Sequence, residues 1–304
     1  MSRYARQMCL PQIGSAGQAR LAKSRVAVVG AGGLGATVLP QLVGAGVGFI
    51  RILDPDIVEE SNLHRQTLYR MADLGRPKVE VAAETLTGLN PDCTLEPHRD
   101  RLDPASVHGW LTDVDLVVDA ADSFATSYAL SDFCRQGGVP LISASAQAQQ
   151  GYVGGFCGGA PSLRAVFPDL PAVMGSCADT GVMGPVVASV AGLQAQMALA
   201  VLLNLMPSPL GQLLSLDLSK WHVSGFRFDG APEPDRAVPD ILSSAQIIAQ
   251  DLVVDLRSAA PPVPKPAPDQ RVVFICNSGL RAWRAAKALE AQGHARVAII
   301  GMGE

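Results

Sequence analysis

Four glycines and one acid are the first residues in this chain whose types and spacing could do chemistry. The stretch Arg25-Val-Ala-Val-Val-Gly30-Ala-Gly32-Gly33-Leu-Gly35 leads through a mostly apolar segment to Phe49-Ile-Arg-Ile-Leu-Asp54. Glycines at 30, 32, 33 and 35 let a backbone approach a phosphate, and the following helix would offer it unpaired N–H groups and a positive dipole end. Asp54 falls where an acid accepts from ribose hydroxyls. This describes a nucleotide platform, and the pattern suits NAD and ATP alike. Further polar groups follow: Asp54-Pro-Asp56, then Ser61-Asn62-Leu-His64-Arg65-Gln66, then Arg76-Pro77-Lys78, and Asp122-Ser123.

The elements that must position these groups are legible from periodicity. Residues 25–29 and 49–53 read as buried strands flanking a helix, with Pro40 expected to kink or shorten that helix. Residues 54–67 are too polar and too long for an idle turn, and such loops at strand carboxyl ends tend to carry function. Pro77 is expected to open a helix that runs to Leu89 and places Lys78 in its first turn. Further strands are expected at 93–96, 115–119 and 139–143, and helices at 104–111 and 124–136. Asp119 and Asp122 then face the same crevice as the glycine turn, unless Asp122 serves with Ser123 as a helix cap. The alternation predicts an α/β, Rossmann-like, doubly wound, mostly parallel sheet. The glycine-rich residues 151–159 suggest antiparallel strands that extend it, and residues 161–175 read as a loop.

Three segments are expected: a nucleotide-binding domain over 1–228, a proline- and charge-rich linker over 229–248, and a small α/β unit over 249–304. In that last unit a strand ends at Asp255, a second ends at Cys276, and Cys276-Asn-Ser-Gly-Leu-Arg281 opens a helix.

Composition bounds the rest. With 304 residues, 48% hydrophobic and 17% charged, the chain can bury a large core. A formal charge of −4 argues against a broad nucleic-acid surface. Six cysteines without a CxxC pair fit free thiols in a reducing compartment, and the polar start fits a cytoplasmic protein. Residues 180–216 carry no charge, but Gln194, Gln196 and Asn204 interrupt the segment, which reads as a core or dimer-interface helix rather than a membrane span.

Taken in order, these motifs resemble the ThiF/MoeB/HesA group of E1-like adenylyltransferases over residues 3–228. The resemblance implies ATP-dependent adenylation, with Mg²⁺, of the C-terminal glycine carboxylate of a ubiquitin-like sulfur-carrier protein ending in Gly-Gly, in thiamin or molybdenum-cofactor sulfur transfer. It assigns the phosphates to Arg65 and Lys78, Mg²⁺ to Asp122 and the ribose to Asp54. Asn62 would orient the polyphosphate within a cradle that also includes Gly30, Gly32, Gly33, Gly35, Asp56, Ser61, Gln66 and Ser123. Arg6, in an Arg-Tyr-x-Arg-Gln pattern, would reach the ATP of a partner subunit, which requires a homodimer.

Relatives carry two CxxC pairs for a structural zinc. Residues 161–164 and 226–229 here hold no cysteine, so no zinc is expected. Cys177 matches a position where some relatives link covalently to the carrier, while others with a cysteine there only adenylate. Cys276 resembles the persulfide-bearing cysteine of a rhodanese active loop, implying auxiliary sulfurtransfer, although that unit is abbreviated between Asp255 and Cys276. The competing readings are an NAD-dependent oxidoreductase, which leaves Arg65, Lys78 and Asp122 without a task, and a noncatalytic dimeric scaffold of the same fold.

Overall fold

A computed structural model describes residues 3–169, 181–235, 239–258 and 265–301. Short valine- and isoleucine-rich runs form strands β1 (Arg25–Val29) and β2 (Phe49–Leu53), joined by α3 (Gly35–Ala45). Two helices precede β1, α1 (Ala5–Met8) and α2 (Gly14–Leu21). After β2 come α4 (Lys78–Leu89), β3 (Thr94–His98), α5 (Val107–Leu111), β4 (Leu116–Asp119), α6 (Phe124–Gly137), β5 (Pro140–Gln147) and β6 (Gln150–Cys157). The first unit closes with α7 (Leu163–Val166), α8 (Gly184–Leu202), β7 (Gln212–Asp217) and β8 (His222–Arg227).

These strands make one eight-stranded sheet in the order β3-β2-β1-β4-β5-β6-β7-β8. The first five are parallel, and β5 through β8 are antiparallel neighbours. Strand order reverses between β1 and β4, so a crevice opens there at the strands' carboxyl ends. That switch point sets Gly30 against Ala120, the residue after Asp119, since Val29 pairs with Asp119.

Helix α3 continues through Pro40 to Ala45, so the expected shortening does not occur. Helix α8 is long and apolar enough to cross a membrane by composition. Its inner side is packed in the protein core, and Gln194, fully buried, donates Nε2 to the Asp119 carbonyl at 2.6 Å and the Ile142 carbonyl at 3.1 Å. A helix whose glutamine is bonded into the sheet is a core helix. The segment expected as a loop from 161 begins instead with α7, capped by Ser162 and burying Leu163 and Arg164. The hairpin β7–β8 is not foreshadowed by any pattern in the sequence.

A second, four-stranded sheet has the order β10-β11-β12-β9, all parallel: β9 (Asp240–Ile241), β10 (Leu252–Asp255), β11 (Val272–Cys276) and β12 (Val297–Gly301), with α9 (Leu280–Glu290) packed on it. Residues 240–241 of the expected linker are therefore an edge strand of this sheet. The sheet is also not isolated: Phe274, Trp283 and Ala286 share one buried cluster with Tyr128, Leu130 and Phe133 of α6. Burial of both partners' apolar faces is what joins the units.

Candidate active site

The glycine turn is built by close backbone approach. Gly30 has φ +101°, and a Cβ there would lie 2.4 Å from the Ala120 carbonyl oxygen; one at Gly35 would lie 2.0 Å from the Gly30 carbonyl. Those contacts explain two of the four glycines. Gly33 faces Val187 of α8, 2.9 Å from where its Cβ would be, and Gly32 leaves open room beside the Gln66 amide at 3.6 Å.

Asp54 ends β2 and turns back to this loop. Its carboxylate accepts from the Ala31 N–H at 2.7 Å and from the Asp56 N–H at 2.8 Å. Burial pushes its pKa up, and the Lys78 ammonium opposes that rise. Tyr69 closes the same corner, donating its hydroxyl to the Ala31 carbonyl at 2.6 Å. Burial, followed by the charges of Asp54 and Asp56, pushes that phenol's pKa up, so it stays a donor. Sequence reasoning misses Tyr69 because it lies just past the polar run, and its role depends on a contact 38 residues away.

The crossover from β2 to α4 is folded into a clamp. Val58 N–H donates to the Arg76 carbonyl at 2.9 Å and Lys78 N–H to the Asp56 carbonyl at 3.0 Å. This pairing lays the Asp56 loop along the N-terminus of α4, where Lys78 Nζ meets Asp56 Oδ2 at 2.9 Å. The lysine side chain is 6% exposed and its partner carboxylate 52%. A cation is thus buried with only one ion-pair partner among the described residues, and that partner faces the solvent.

Between Asp56 and Lys78, a short 3₁₀ turn at Glu60–Asn62 positions the other polar groups. The Asn62 carbonyl accepts from Arg65 N–H and Gln66 N–H, which folds both side chains back towards the glycine turn. Arg65 donates Nη1 to the Ser61 carbonyl at 3.1 Å, and Asn62 Nδ2 donates to Ser61 Oγ at 3.2 Å. Gln66 is 3% exposed and its Oε1 has no partner among the described residues. The Gln66 atom that stands nearest the glycine turn is the amide Nε2, 3.6 Å from where a Gly32 Cβ would be, a donor of the kind a phosphate oxygen accepts from.

Asp119 and the turn after it form the opposite wall. Asp119 is fully buried, accepts from Ser143 Oγ at 2.7 Å and from Ala121 N–H at 3.2 Å, and is pushed up to about 6 by burial. Asp122 is exposed, and among the described residues no hydrogen bond to its carboxylate is found. Ser123 occupies the N-cap position of α6 but makes no side-chain cap bond; its Oγ is buried and unpartnered among the described residues. The capping alternative for Asp122 and Ser123 is not realised. A free carboxylate beside an orphaned hydroxyl fits a hard, oxygen-seeking cation such as Mg²⁺.

Gly30, Gly32, Gly33, Gly35, Asp54, Asp56, Ser61, Asn62, Arg65, Gln66, Lys78, Asp122 and Ser123 thus all belong to the glycine turn, the clamped crossover or the facing wall. Arg6 does not. It sits exposed on α1, which is anchored at the far end of the helices: Tyr4 hydroxyl accepts from Asn90 Nδ2 at 2.8 Å, and Gln7 Nε2 donates to the Ala45 carbonyl at 3.0 Å. Cys177 lies outside the described residues. Cys276 ends β11, is 1% exposed, and its Sγ accepts from Ala282 N–H at 3.3 Å.

The two stretches lacking cysteine pairs are held by other means. Ser162 donates Oγ to Glu233 Oε2 at 2.6 Å, Arg164 makes a two-pronged pair with Asp132 at 2.7 and 2.9 Å, and Phe228 stacks on Phe156 at 5.2 Å. Among the described residues no cluster of three metal-ligating side chains occurs.

Residues 4–237, which hold the whole of this crevice, match the family model described as the ThiF family. The chain is 41% identical over 219 residues to the SAMP-activating enzyme E1 of Haloferax volcanii, covering 71% of this chain and 81% of that protein. It is 43% identical over 225 residues to the sulfur carrier protein adenylyltransferase of Thermus thermophilus, covering 71% and 83%. Against the adenylyltransferase and sulfurtransferase uba4 of Aspergillus fumigatus it is 45% identical over 212 residues, covering 66% of this chain and 43% of that longer protein. In fold it is similar to the crystal structure of E. coli MccB with ATP, at TM-score 0.64 and 21% identity, covering 76% of this chain and 73% of that one.

Proposed function

We propose that this chain, which belongs to the ThiF family and is an adenylyltransferase, activates the C-terminal glycine carboxylate of a ubiquitin-like sulfur-carrier protein. The observation that carries the reading is Lys78, a buried cation at a helix N-terminus beside a glycine turn, paired with a solvent-facing carboxylate. A nucleotide phosphate can share that cation without leaving a buried charge uncompensated. Family membership displaces the oxidoreductase and scaffold alternatives.

In the reaction a carboxylate oxygen of the carrier attacks the α-phosphorus of ATP. A new P–O bond forms, the bond from the α-phosphorus to the bridging oxygen breaks, and pyrophosphate leaves with the electron pair. No proton needs to be removed from an ionised carboxylate, so fixed positive charge matters more than a base. Asp54 accepts from the ribose hydroxyls while its remaining lone pairs hold the Ala31 and Asp56 amides. The glycine turn brings backbone N–H groups to the phosphates, and Arg65 and Lys78 stabilise charge on the transferring group. Asn62 and Gln66 orient the polyphosphate. Asp122, with Ser123, would hold Mg²⁺, which when bound neutralises charge on the phosphate oxygens.

The reading includes a homodimer. Arg6 is remote from the crevice of its own subunit, and the outward side of α8 presents Ala188, Ser189, Gly192 and Gln196, all uncharged. In that arrangement Arg6 reaches the nucleotide of the partner. The carrier serves thiamin or molybdenum-cofactor sulfur transfer in the cytoplasm.

The deciding experiment is ATP–pyrophosphate exchange with carriers of both kinds, intact and lacking the Gly-Gly tail. Tail-dependent exchange is expected, with Lys78→Ala lowering it about 10²- to 10³-fold. Exchange that ignores the tail, or none with any carrier, overturns the proposal.

A further inference from the structure

The turn that bears Asp122 leads into α6, and α6 is where the second sheet touches the first unit most closely. Ala125, the second residue of that helix, is enclosed by two glycines of the C-terminal unit. A Cβ at Gly301, the end of β12, would lie 2.7 Å from Ala125 Cβ, and one at Gly279 would lie 3.2 Å from it. The contact continues along the same face of α6, where Tyr128 meets Trp283 with ring centroids 5.0 Å apart. Arg164 lies over both rings, at 4.9 Å from Tyr128 and 5.9 Å from Trp283.

The seat matters because this end of α6 lacks a side-chain cap, its first turn being tied to the first sheet by Ser127 and the Asp119 carboxylate rather than at the helix terminus itself. Its N-cap residue, Ser123, makes no side-chain bond to the first turn. Helix termini without a cap fray or shift unless packing holds them. Here packing at the terminus comes from the other end of the chain: Gly279 and Gly301 close on Ala125, three residues from Asp122 and ahead of the Ser127 bond to Asp119.

We propose that the C-terminal sheet is a positioning element for nucleotide-bound metal, acting through the contact of Gly279 and Gly301 with Ala125 to set where the Asp122 carboxylate stands. This rests on the adenylation reading, in which Asp122 meets a divalent cation. A sheet that merely covered an apolar helix face would change stability when perturbed, but not metal affinity.

The test uses the full chain, Mn²⁺ as the probe ion and a nonhydrolysable ATP analogue, with free Mn²⁺ read by electron paramagnetic resonance. Gly301→Ala adds a methyl group to a full contact and Ala125→Gly opens it; the double variant moves the methyl group from one side to the other. Gly301→Ala is expected to weaken Mn²⁺ binding in the ternary complex about tenfold, as a displacement near 1 Å can do. Ala125→Gly is expected to weaken it about threefold, and the double variant to return within about twofold of the wild type, the non-additivity of residues in contact. Should Gly301→Ala alone fail to fold, recovery in the double variant relative to Ala125→Gly still decides. Wild-type affinity in both single variants, or a double variant no better than Ala125→Gly, overturns the inference and leaves the adenylation reading standing. A wild-type protein that binds no Mn²⁺ with the nucleotide overturns both.

Discussion

Two glycines of the first βαβ unit should respond in opposite directions to the same substitution. At Gly30, alanine would have to adopt φ +101° and place a Cβ 2.4 Å from the Ala120 oxygen, 2.6 Å from the Ala120 carbonyl carbon and 2.9 Å from the Ala121 nitrogen. All three are backbone atoms. They cannot move independently, because Ala120 N–H donates to the Val29 carbonyl at 2.8 Å and Gly30 N–H to the Leu53 carbonyl at 2.8 Å. Relief requires the ends of β1 and β4 to separate by about 1 Å, the gap between these contacts and ordinary van der Waals distance. Strained φ costs about 1–2 kcal/mol and overpacking about 1–3 kcal/mol, so Gly30→Ala should destabilise the fold by about 2–5 kcal/mol. Gly44 lies exposed in α3, and a methyl group added there would meet nothing within 4 Å. There alanine should stabilise by about 0.5–1 kcal/mol, because it removes freedom from the unfolded chain. Urea unfolding followed by circular dichroism measures both, and calorimetric ATP titration reports the turn itself. A Gly30→Ala protein as stable as the wild type, with unchanged ATP affinity, would refute the close-approach account of the turn.

Asp119 makes stability depend on pH. Its folded pKa of about 6 lies above the ordinary 3.8, so the folded state binds more protons between these values and stability falls as pH rises from about 4 through 6. Asp119→Asn removes that dependence, so the difference in unfolding free energy should shift in favour of the variant by up to about 3 kcal/mol between pH 4 and pH 7; a constant difference would contradict the assignment. Cys276, at 1% exposure, should react with a thiol reagent at least about tenfold more slowly than exposed Cys9. Equal rates by peptide mapping would show that the second sheet opens readily, as a sulfurtransfer role for this thiol requires.

The first βαβ unit is legible in the sequence because everything that specifies it is local. Glycines at a turn, valine-rich strands and Asp54 at the end of β2 all lie within one short stretch, and the structure closes that unit with the Ala31–Asp54 bond. The polar crossover is legible as a functional loop but not as a clamp. The pairing of Val58 with Arg76 and of Asp56 with Lys78 joins residues far apart in the chain and leaves no periodic trace. The hairpin β7–β8 is illegible for a different reason. All six residues of β8 are exposed, so the alternation of inside and outside that marks a half-buried strand is absent. The docking of the second sheet is hidden as well, although α6 carries a sign of it. Ala125, Tyr128, Ala129 and Phe133 repeat at helical spacing along one face, while Leu130 and Cys134 are buried too. A helix apolar over so wide an arc has partners on more than one side.

The same geometry explains why the glycine motif alone could not choose between a redox cofactor and a nucleotide substrate. A glycine turn of this kind can offer backbone amides to any phosphate, and an acid at the position of Asp54 can accept from any ribose. What differs lies on two segments that the switch point brings together, the β2–α4 crossover and the β4–α6 turn. The first contributes Arg65 and Lys78, made rigid by main-chain pairing at Val58 and Asp56. The second contributes Asp122 and the Ser123 hydroxyl, which has no partner among the described residues, on a turn whose Ala121 N–H donates to Asp119. Charge of both signs is thereby placed on opposite walls of one crevice, an arrangement that the proposed adenylation would use as cations for the phosphates and an acid for their accompanying metal ion. Losing either wall should leave nucleotide binding at the glycine turn weakened but present, while transfer of the adenylyl group requires both.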